Sequence, residues 1–156
     1  MGRWHSTWGE KTAGLDPETL EVGAFVVVGA GTDQRALDEL VRGNASISAH
    51  FQRDVTSSLS HTDASVVEEV TNHYDNYHHG LEHASQSEAI PADFLQRFCV
   101  IGPPEECTER LCQLIGPGLS HLVIVGGSRD IDATVRERSD HLVAREVLPA
   151  VRAAFA

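Results

Sequence analysis

The fold is decided by the stretch Gly23-Ala-Phe-Val-Val-Val-Gly-Ala-Gly-Thr-Asp33. Its apolar run has no polar alternation, which is typical of a strand buried on both faces, as in parallel sheets. Gly29 and Gly31 end the run, and Thr32 or Asp33 can cap a following helix by accepting a hydrogen bond from its first N–H groups. The apolar side chains that then recur at helical spacing are Leu37, Leu40, Val41, Ile47 and Phe51. The stretch therefore predicts a strand at about 23–28 followed by a helix.

Two later stretches repeat this pattern of a strand and then a helix, with strands at about 98–101 and 121–125, and the strand at 121–125 is also predicted to be buried. Pro104 suits the first turn of the helix after the second strand, because its missing N–H has no partner there in any case. Gly116-Pro-Gly118 ends that helix, and a last helix is predicted from about 132 to 154. Alternating strands and helices indicate parallel βα units joined by right-handed crossovers.

A helical insert at about 54–92 separates the first two units. Ser65-Val-Val-Glu68 is a candidate capping box. An apolar stripe follows it, formed by Val66, Val70, Tyr74 and Tyr77. Gly80 is predicted to end this helix, and the polar residues 81–92 are predicted to form a loop. Before the first strand, the pattern predicts a short turn capped by Asp16 and, over 1–13, the end of an earlier helix.

Length and charge exclude several classes of protein. The chain has 156 residues, whereas a closed eight-stranded βα barrel needs about 250. A three-stranded sheet with helices on both faces would fit this length, but both of its edges would be unpaired. Its net charge is -11 and Lys11 is its single lysine, so a surface for nucleic acid or an anionic membrane is not expected. The apolar runs fall well short of a membrane span, and Met1–Trp8 lacks the pattern of a signal peptide. With an odd number of cysteines as well, we expect a cytoplasmic protein with reduced thiols.

Three stretches together resemble the luciferase-like monooxygenase family, which includes reductases dependent on coenzyme F-420. They are Gly14–Phe25, Arg97–Leu111 with its Gly-Pro-Pro-Glu turn, and Gly118–Gly126, and they look like the family's sixth, seventh and eighth barrel strands. The insert around His73–Gly80 resembles a helical segment of the deazaflavin members, so the likeness spans roughly residues 9–155. The resemblance implies that 1–156 form the C-terminal part of a TIM (βα)8 barrel, an α/β fold with about three parallel strands, flanking helices and the insert.

The resemblance also implies FMN or the deazaflavin F-420 at the mouth of the complete barrel, together with a small organic substrate. Barrel enzymes bind ligands at the carboxyl ends of their strands. The candidate binding residues there are Gly29, Gly31, Gly102, Gly126, Gly127 and Arg129. Glycines let backbone N–H groups approach a ligand, and an arginine can hold an anionic group. Alternatively, these glycines only shape the βα turns. His78 and His79 are the insert residues expected to face substrate.

The histidines and cysteines give no metal or nucleophile signature. Four histidines crowd together, namely His73, His78, His79 and His83, but no His-Glu-x-x-His or Cys-x-x-Cys pattern accompanies them. We therefore predict no metal site. Cys99 is expected to be a small buried apolar residue. Cys107 lies in the first turn of a helix, where the helix dipole lowers a thiol pKa, but no histidine partner is evident. The catalytic residues stay unidentified.

Three functional hypotheses follow. The first is a flavin- or deazaflavin-dependent oxidoreductase, with monooxygenation if the ring is FMN, although this part of a barrel need not be active alone. The second is a non-catalytic interaction module, because open sheet edges and uncovered apolar surface favour binding to a second copy or to a complementing N-terminal half. The third is a truncated reading frame without independent function.

Overall fold

The computed structural model describes residues 21–115, 119 and 121–156. The turn predicted around Asp16, the helix end predicted over 1–13 and the helix stop at Gly116–Gly118 lie outside these residues. The described residues form a parallel sheet with helices on both of its faces. The strands are β1 (Gly23–Ala30), β2 (Val100–Gly102) and β3 (His121–Val125).

The sheet has the strand order β2-β1-β3, and both pairings are parallel. Val28 through Ala30 pair with β2, whereas Gly23 through Val27 pair with β3. The predicted α/β fold with about three parallel strands and flanking helices is confirmed. β1 continues to Ala30, beyond the predicted end at residue 28, and β2 begins two residues after the predicted start at residue 98.

From Val26 to Ala30, β1 is buried on both faces, as its unbroken apolar run predicted, whereas Phe25 is 76% exposed. Val27 packs in the apolar core on one face of the sheet, and Val26 and Val28 pack in the core on the other face. β3 was also predicted to be a buried strand, which is wrong. Its side chains are only partly covered, and Val123 is 46% exposed, because β3 is the last strand of the described sheet.

Helices form the outer layers of the structure. Asp33 caps α1 by accepting a hydrogen bond from the N–H of Ala36, and Asp132 caps α6 in the same way. The five residues Val143–Val147 form a π-helical turn that joins α6 to α7. The α-helices are α1 (Gln34–Phe51), α2 (His61–Asn72), α3 (Ser85–Glu88), α4 (Ala92–Phe98), α5 (Pro104–Ile115), α6 (Ala133–Leu142) and α7 (Leu148–Ala154).

The insert differs from the prediction in two respects. Ser60 caps α2 through a hydrogen bond from the N–H of Asp63, whereas Ser65 lies inside the helix and donates to the carbonyl of His61. The predicted stripe is cut short, because α2 ends at Asn72, before both tyrosines. The residues predicted as a loop, 81–92, contain α3, and α4 begins at their end. A 3-10 helix, Arg53–Ser58, precedes α2.

The strand order determines where the helices lie. α1, α2 and α4 pack on one face of the sheet, whereas α5 and α7 pack on the other. All right-handed crossovers that move in one direction across the sheet place their helices on the same face. A right-handed crossover in the other direction places its helix on the opposite face. The chain moves one way from β1 to β2 and the other way from β2 to β3, past β1. The result is three layers with β1 at the centre, as in doubly wound sheets.

Candidate functional site

The carboxyl ends of the three strands meet at one edge of the sheet, which carries most of the predicted site residues. Gly29 is an exception, because it lies inside β1. A Cβ added there would meet Val41 and Leu40 of α1 at 3.0 and 3.3 Å. Gly29 therefore permits close packing of α1 on the strand.

Gly31 and Gly102 bond to each other at the ends of β1 and β2. The N–H of Gly31 donates to the carbonyl of Gly102 at 2.9 Å. Gly102 has a φ of +142°, a conformation that only glycine adopts readily. At Gly31 and Gly102, the geometry favours the alternative that they shape the βα turns.

The loop after β3 is fixed to the middle of α1. The side-chain amide of Asn44 donates to the carbonyls of Gly126 and Gly127 at 2.9 and 3.2 Å. Ser128 is fully buried, and its hydroxyl donates to the carbonyl of Leu40 at 2.9 Å and accepts from the N–H of Gly43 at 3.0 Å. Two of the predicted site residues, Gly126 and Gly127, are thus held against α1 by hydrogen bonds. Asn44 and Ser128 were not predicted, because side chains that bond to a distant backbone leave no local sequence pattern.

The insert loop also packs against the middle of α1, and a glycine on each side, Gly43 and Gly80, makes this contact possible. A Cβ on Gly43 would lie 2.7 Å from the backbone of Gly80 and Leu81, so only a glycine permits this approach. Gly80 itself has a φ of +74°. The close approach holds the histidine-rich residues 75–83 against α1.

The structure brings the predicted insert residues next to Arg129. The guanidinium of Arg129 donates to the carbonyl of His79 at 3.3 Å. Asp130 accepts hydrogen bonds from the N–H groups of Glu82 and His83 at 2.8 and 3.2 Å. Although partial burial acts in the opposite direction, these backbone bonds hold the pKa of Asp130 below its usual value.

His78 is exposed and pairs with a carboxylate of its own loop. Its Nδ1 lies 2.6 Å from the Asp75 carboxylate, and this hydrogen bond lowers the pKa of Asp75. The buried amide of Gln86 supports the same turn by bonding to the carbonyl of Asp75 at 3.4 Å. The His78 ring therefore stands at the surface above a fixed turn.

Two concave regions lie beside this edge. A cavity of about 160 Å³ between the end of β1 and α6 includes Gly31 and Ser139 in its wall. A groove of about 360 Å³ runs between α1, the insert loop and the start of α6. Its wall is acidic, since it contains the carboxylates of Glu39, Glu82, Asp130 and Asp132.

The cysteines are not positioned for nucleophilic chemistry. Burial raises the pKa of Cys107 to about 11 and that of Cys99 to about 12. The lowered pKa predicted for Cys107 from the helix dipole is therefore wrong, because desolvation outweighs the dipole. Its Sγ lies 3.4 Å from the carbonyl of Gly102 in a fully buried position. Cys99 is a buried apolar residue, as predicted.

Within the described residues, no group of three or more histidine, cysteine, aspartate or glutamate side chains is arranged to hold a metal ion. In the same residues, no helix has both the length and the apolar character that crossing a membrane requires.

Comparison with known proteins identifies the family. The model of the luciferase-like monooxygenases matches residues 5–121. The chain belongs to the luciferase-like monooxygenase family. This family member is also similar in structure to the coenzyme F-420-dependent tetrahydromethanopterin reductase from Methanopyrus kandleri, with a TM-score of 0.60 and 20% sequence identity. That match covers 90% of this chain but 38% of the reductase, so the chain spans well under half of the related fold. No curated protein matches the sequence significantly.

The two concave regions at the carboxyl edge do not by themselves fit a flavin or deazaflavin. The cavity at the end of β1, about 160 Å³, is smaller than the roughly 300–1,000 Å³ typical of ligand sites. The larger groove has an acidic wall, which would repel the phosphate that both cofactors carry. The N–H of Gly31 is also already bonded within the protein.

Proposed function

We propose that this chain contributes the C-terminal βα units of a luciferase-like oxidoreductase that uses a flavin or deazaflavin, and that it needs the remaining barrel strands to hold that cofactor. The family match over residues 5–121 carries the proposal. The redox chemistry would come from the ring, and the protein would bind and orient it. The substrate would be a small organic molecule.

Two features of the structure support a contribution to a ligand site. The loop after β3 and the insert loop lie together at the carboxyl edge, where barrel enzymes bind ligands. Arg129 presents a guanidinium at this edge and is exposed, with one bond to the carbonyl of His79. We assign Arg129 to the anionic group of a cofactor or substrate, and His78 and His79 to the substrate side.

A chimera tests the proposal. In it, this chain replaces the matching part of the F-420-dependent reductase, and the fluorescence of F-420 and of FMN is followed in separate titrations. We expect no saturable binding to the isolated chain and saturable binding of one ring cofactor to the folded chimera. A folded chimera that binds neither would refute the proposal.

Arginine variants make the test specific. Arg129→Met in the chimera should weaken cofactor or substrate binding by about tenfold or more, because a charge-assisted hydrogen bond contributes about 1.5–3 kcal/mol. Arg145→Met is the matched control, since Arg145 is exposed on the C-terminal helical segment and lines neither concave region at this edge. Equal effects of the two substitutions would remove Arg129 from the site.

A second candidate function is a non-catalytic interaction module. It is favoured by Phe25, which is 76% exposed, and by its register partner Val123, which is 46% exposed. Cross-strand partners point to the same face, so the two form one apolar patch. Size-exclusion chromatography with light scattering separates the candidates, because a monomer at high concentration would count against self-association through this patch.

A further inference from the structure

We propose that the chain joins the rest of a barrel through the edge of β1 at Gly23–Val27, which β3 covers in the isolated chain, so that joining requires β3 to change neighbours. The inference rests on the proposed function, because it concerns how the same barrel is completed. The partner is a βα segment that carries the strand preceding β1.

The strand order is the first observation. In a βα barrel each strand lies between the strands that precede and follow it in sequence. β2 would therefore lie between β1 and β3. Here β3 instead pairs with β1 over five positions, from Gly23 with His121 to Val27 with Val125. β3 thus covers the edge of β1 that a barrel reserves for the preceding strand.

The helix layers are the second observation. A barrel has its helices on the outside, and its inner face is filled by strand side chains. In this chain, one face of the sheet is covered by α1, α2 and α4. The other face, with Val26, Val28 and Val100, is covered by α5 and α7. Helices on this second face would occupy the barrel interior, so the two arrangements exclude each other.

Identifiable contacts retain β3. Beyond its pairing with β1, Leu122 and Ile124 pack against the core on the face of α5 and α7, and the loop after β3 is bonded to α1 through Asn44 and Ser128. Phe25 and Val123, the middle pair of this pairing, stay exposed. A preceding strand would bring new backbone pairing to β1, and β3 could then pair with the edge of β2 that faces away from β1.

The size of the missing part identifies the partner. The structural match uses 90% of this chain and 38% of the reductase, so most of the related fold lies outside the match. A partner of this size supplies strands as well as the surface that would cover the inner face. The net charge of -11 makes a second copy the less favourable occupant, because like-charged chains repel.

Disulfide formation between strands tests whether β3 exchanges its pairing with β1 for a pairing with β2 when the barrel is completed. Phe25→Cys with Val123→Cys reports the pairing of β1 with β3, and Val28→Cys with Val100→Cys reports the pairing of β1 with β2 as a control. Both pairs are made in a Cys112→Ser background, in the isolated chain and in the reductase chimera. The rate of disulfide formation is measured by mass spectrometry, and F-420 and FMN binding are measured on the same chimeras.

In the isolated chain, both pairs should close readily, because neighbouring strands lie about 4.8 Å apart. In the chimera, the control should close as before and the Phe25/Val123 pair should close at least about tenfold more slowly, because Cα atoms more than about 7 Å apart cannot be bridged without backbone movement.

Other outcomes overturn one proposal at a time. If the Phe25/Val123 pair closes equally fast in a chimera that binds cofactor, the exchange is wrong and the proposed function stands. If it closes slowly in a folded chimera that binds neither cofactor, the exchange is right and the proposed function fails. If it does not close in the isolated chain while the control does, β3 does not cover β1 and the inference fails.

Discussion

The backbone N–H of Ala30 donates a 2.9 Å hydrogen bond to the hydroxyl oxygen of Ser139. Ala30 is the last residue of β1, and Ser139 lies in α6, 109 positions later in the chain. Both residues are buried. The carboxyl end of the central strand, which would face a ligand in a barrel, is thus bonded to the C-terminal helical segment of the same chain.

Ser139→Ala should lower the free energy of unfolding by about 1–3 kcal/mol, because it leaves the buried N–H of Ala30 without a partner. Urea denaturation measures the change. Ser65→Ala is the control, since Ser65 is exposed within α2, and its substitution should change stability by no more than about 0.5 kcal/mol. Equal losses in the two variants would contradict the role of Ser139.

Gly43→Ala should destabilise the protein by about 1–3 kcal/mol, because its Cβ would lie 2.7 Å from the backbone of Gly80 and Leu81. The sign is informative, since the same change inside an exposed helix stabilises it by about 1 kcal/mol. Thermal unfolding by circular dichroism provides the measurement. At Gly31, an added Cβ meets Leu37 at an ordinary 3.4 Å, so Gly31→Ala should be tolerated better. A stabilised Gly43→Ala protein would show that the insert loop does not approach α1.

Cys112 should be the first of the three cysteines to react with a thiol reagent at neutral pH. The thiolate is the reactive form, and the raised pKa values of Cys107 and Cys99, about 11 and 12, keep both as thiols. Cys112 is partly exposed. Mass spectrometry after a short treatment should find one label on the folded protein and three after denaturation. Early labelling of Cys107 would contradict its burial.

The ion pair between Asp63 and Arg97 should contribute to stability only at pH values at which the Asp63 carboxyl is ionised. The hydrogen bond from Arg97, supported by one from Ser60, lowers the pKa of Asp63 in the folded state. A carboxyl with a lowered folded pKa contributes stability above its unfolded value of about 3.9, and this is lost as pH falls through the folded value. Arg97 is half exposed, so solvent screening should keep this contribution small.

Arg97→Met therefore should be less stable than the parent protein near pH 6, and the difference should shrink below about pH 3. Arg35→Met removes a more exposed pair with Glu39 and should show almost no pH-dependent difference. Urea midpoints at several pH values measure both variants. A difference for Arg97→Met that persists in acid would mean that its packing, not its charge, stabilises the contact between α2 and α4.

The local elements could be predicted from the sequence where one residue pattern had one physical meaning. The unalternated run before Gly29 predicted a strand buried on both faces, and Asp33 was one of two candidate caps for the helix after it. The insert offered two competing patterns, since Ser60-His-Thr-Asp63 and Ser65-Val-Val-Glu68 both have a serine three residues before an acid. Capping at Ser60 adds a turn to the helix that buries Val67 and Val70, and no local rule distinguishes the two.

The arrangement of the strands and the support of the site could not be predicted in this way. The apolar pattern of a segment predicts that it forms a strand. Which strand β3 pairs with, β1 or β2, depends on the other elements that cover the sheet. The bonds of Asn44, Ser128 and Ser139 join residues more than 80 positions apart. Ordinary polar residues in helices and loops carry no sign of such partners. The strand order therefore became visible only in the structure.

The position of β1 between β2 and β3 is tested most directly by interstrand proton contacts in the NMR spectrum of the isolated chain. We predict contacts between Phe25 and Val123 and between Gly29 and Ile101, which are register partners in the structure. Contacts of β3 with β2 in place of β1 would contradict the arrangement, and with it the conclusion that this chain must rearrange to complete a barrel.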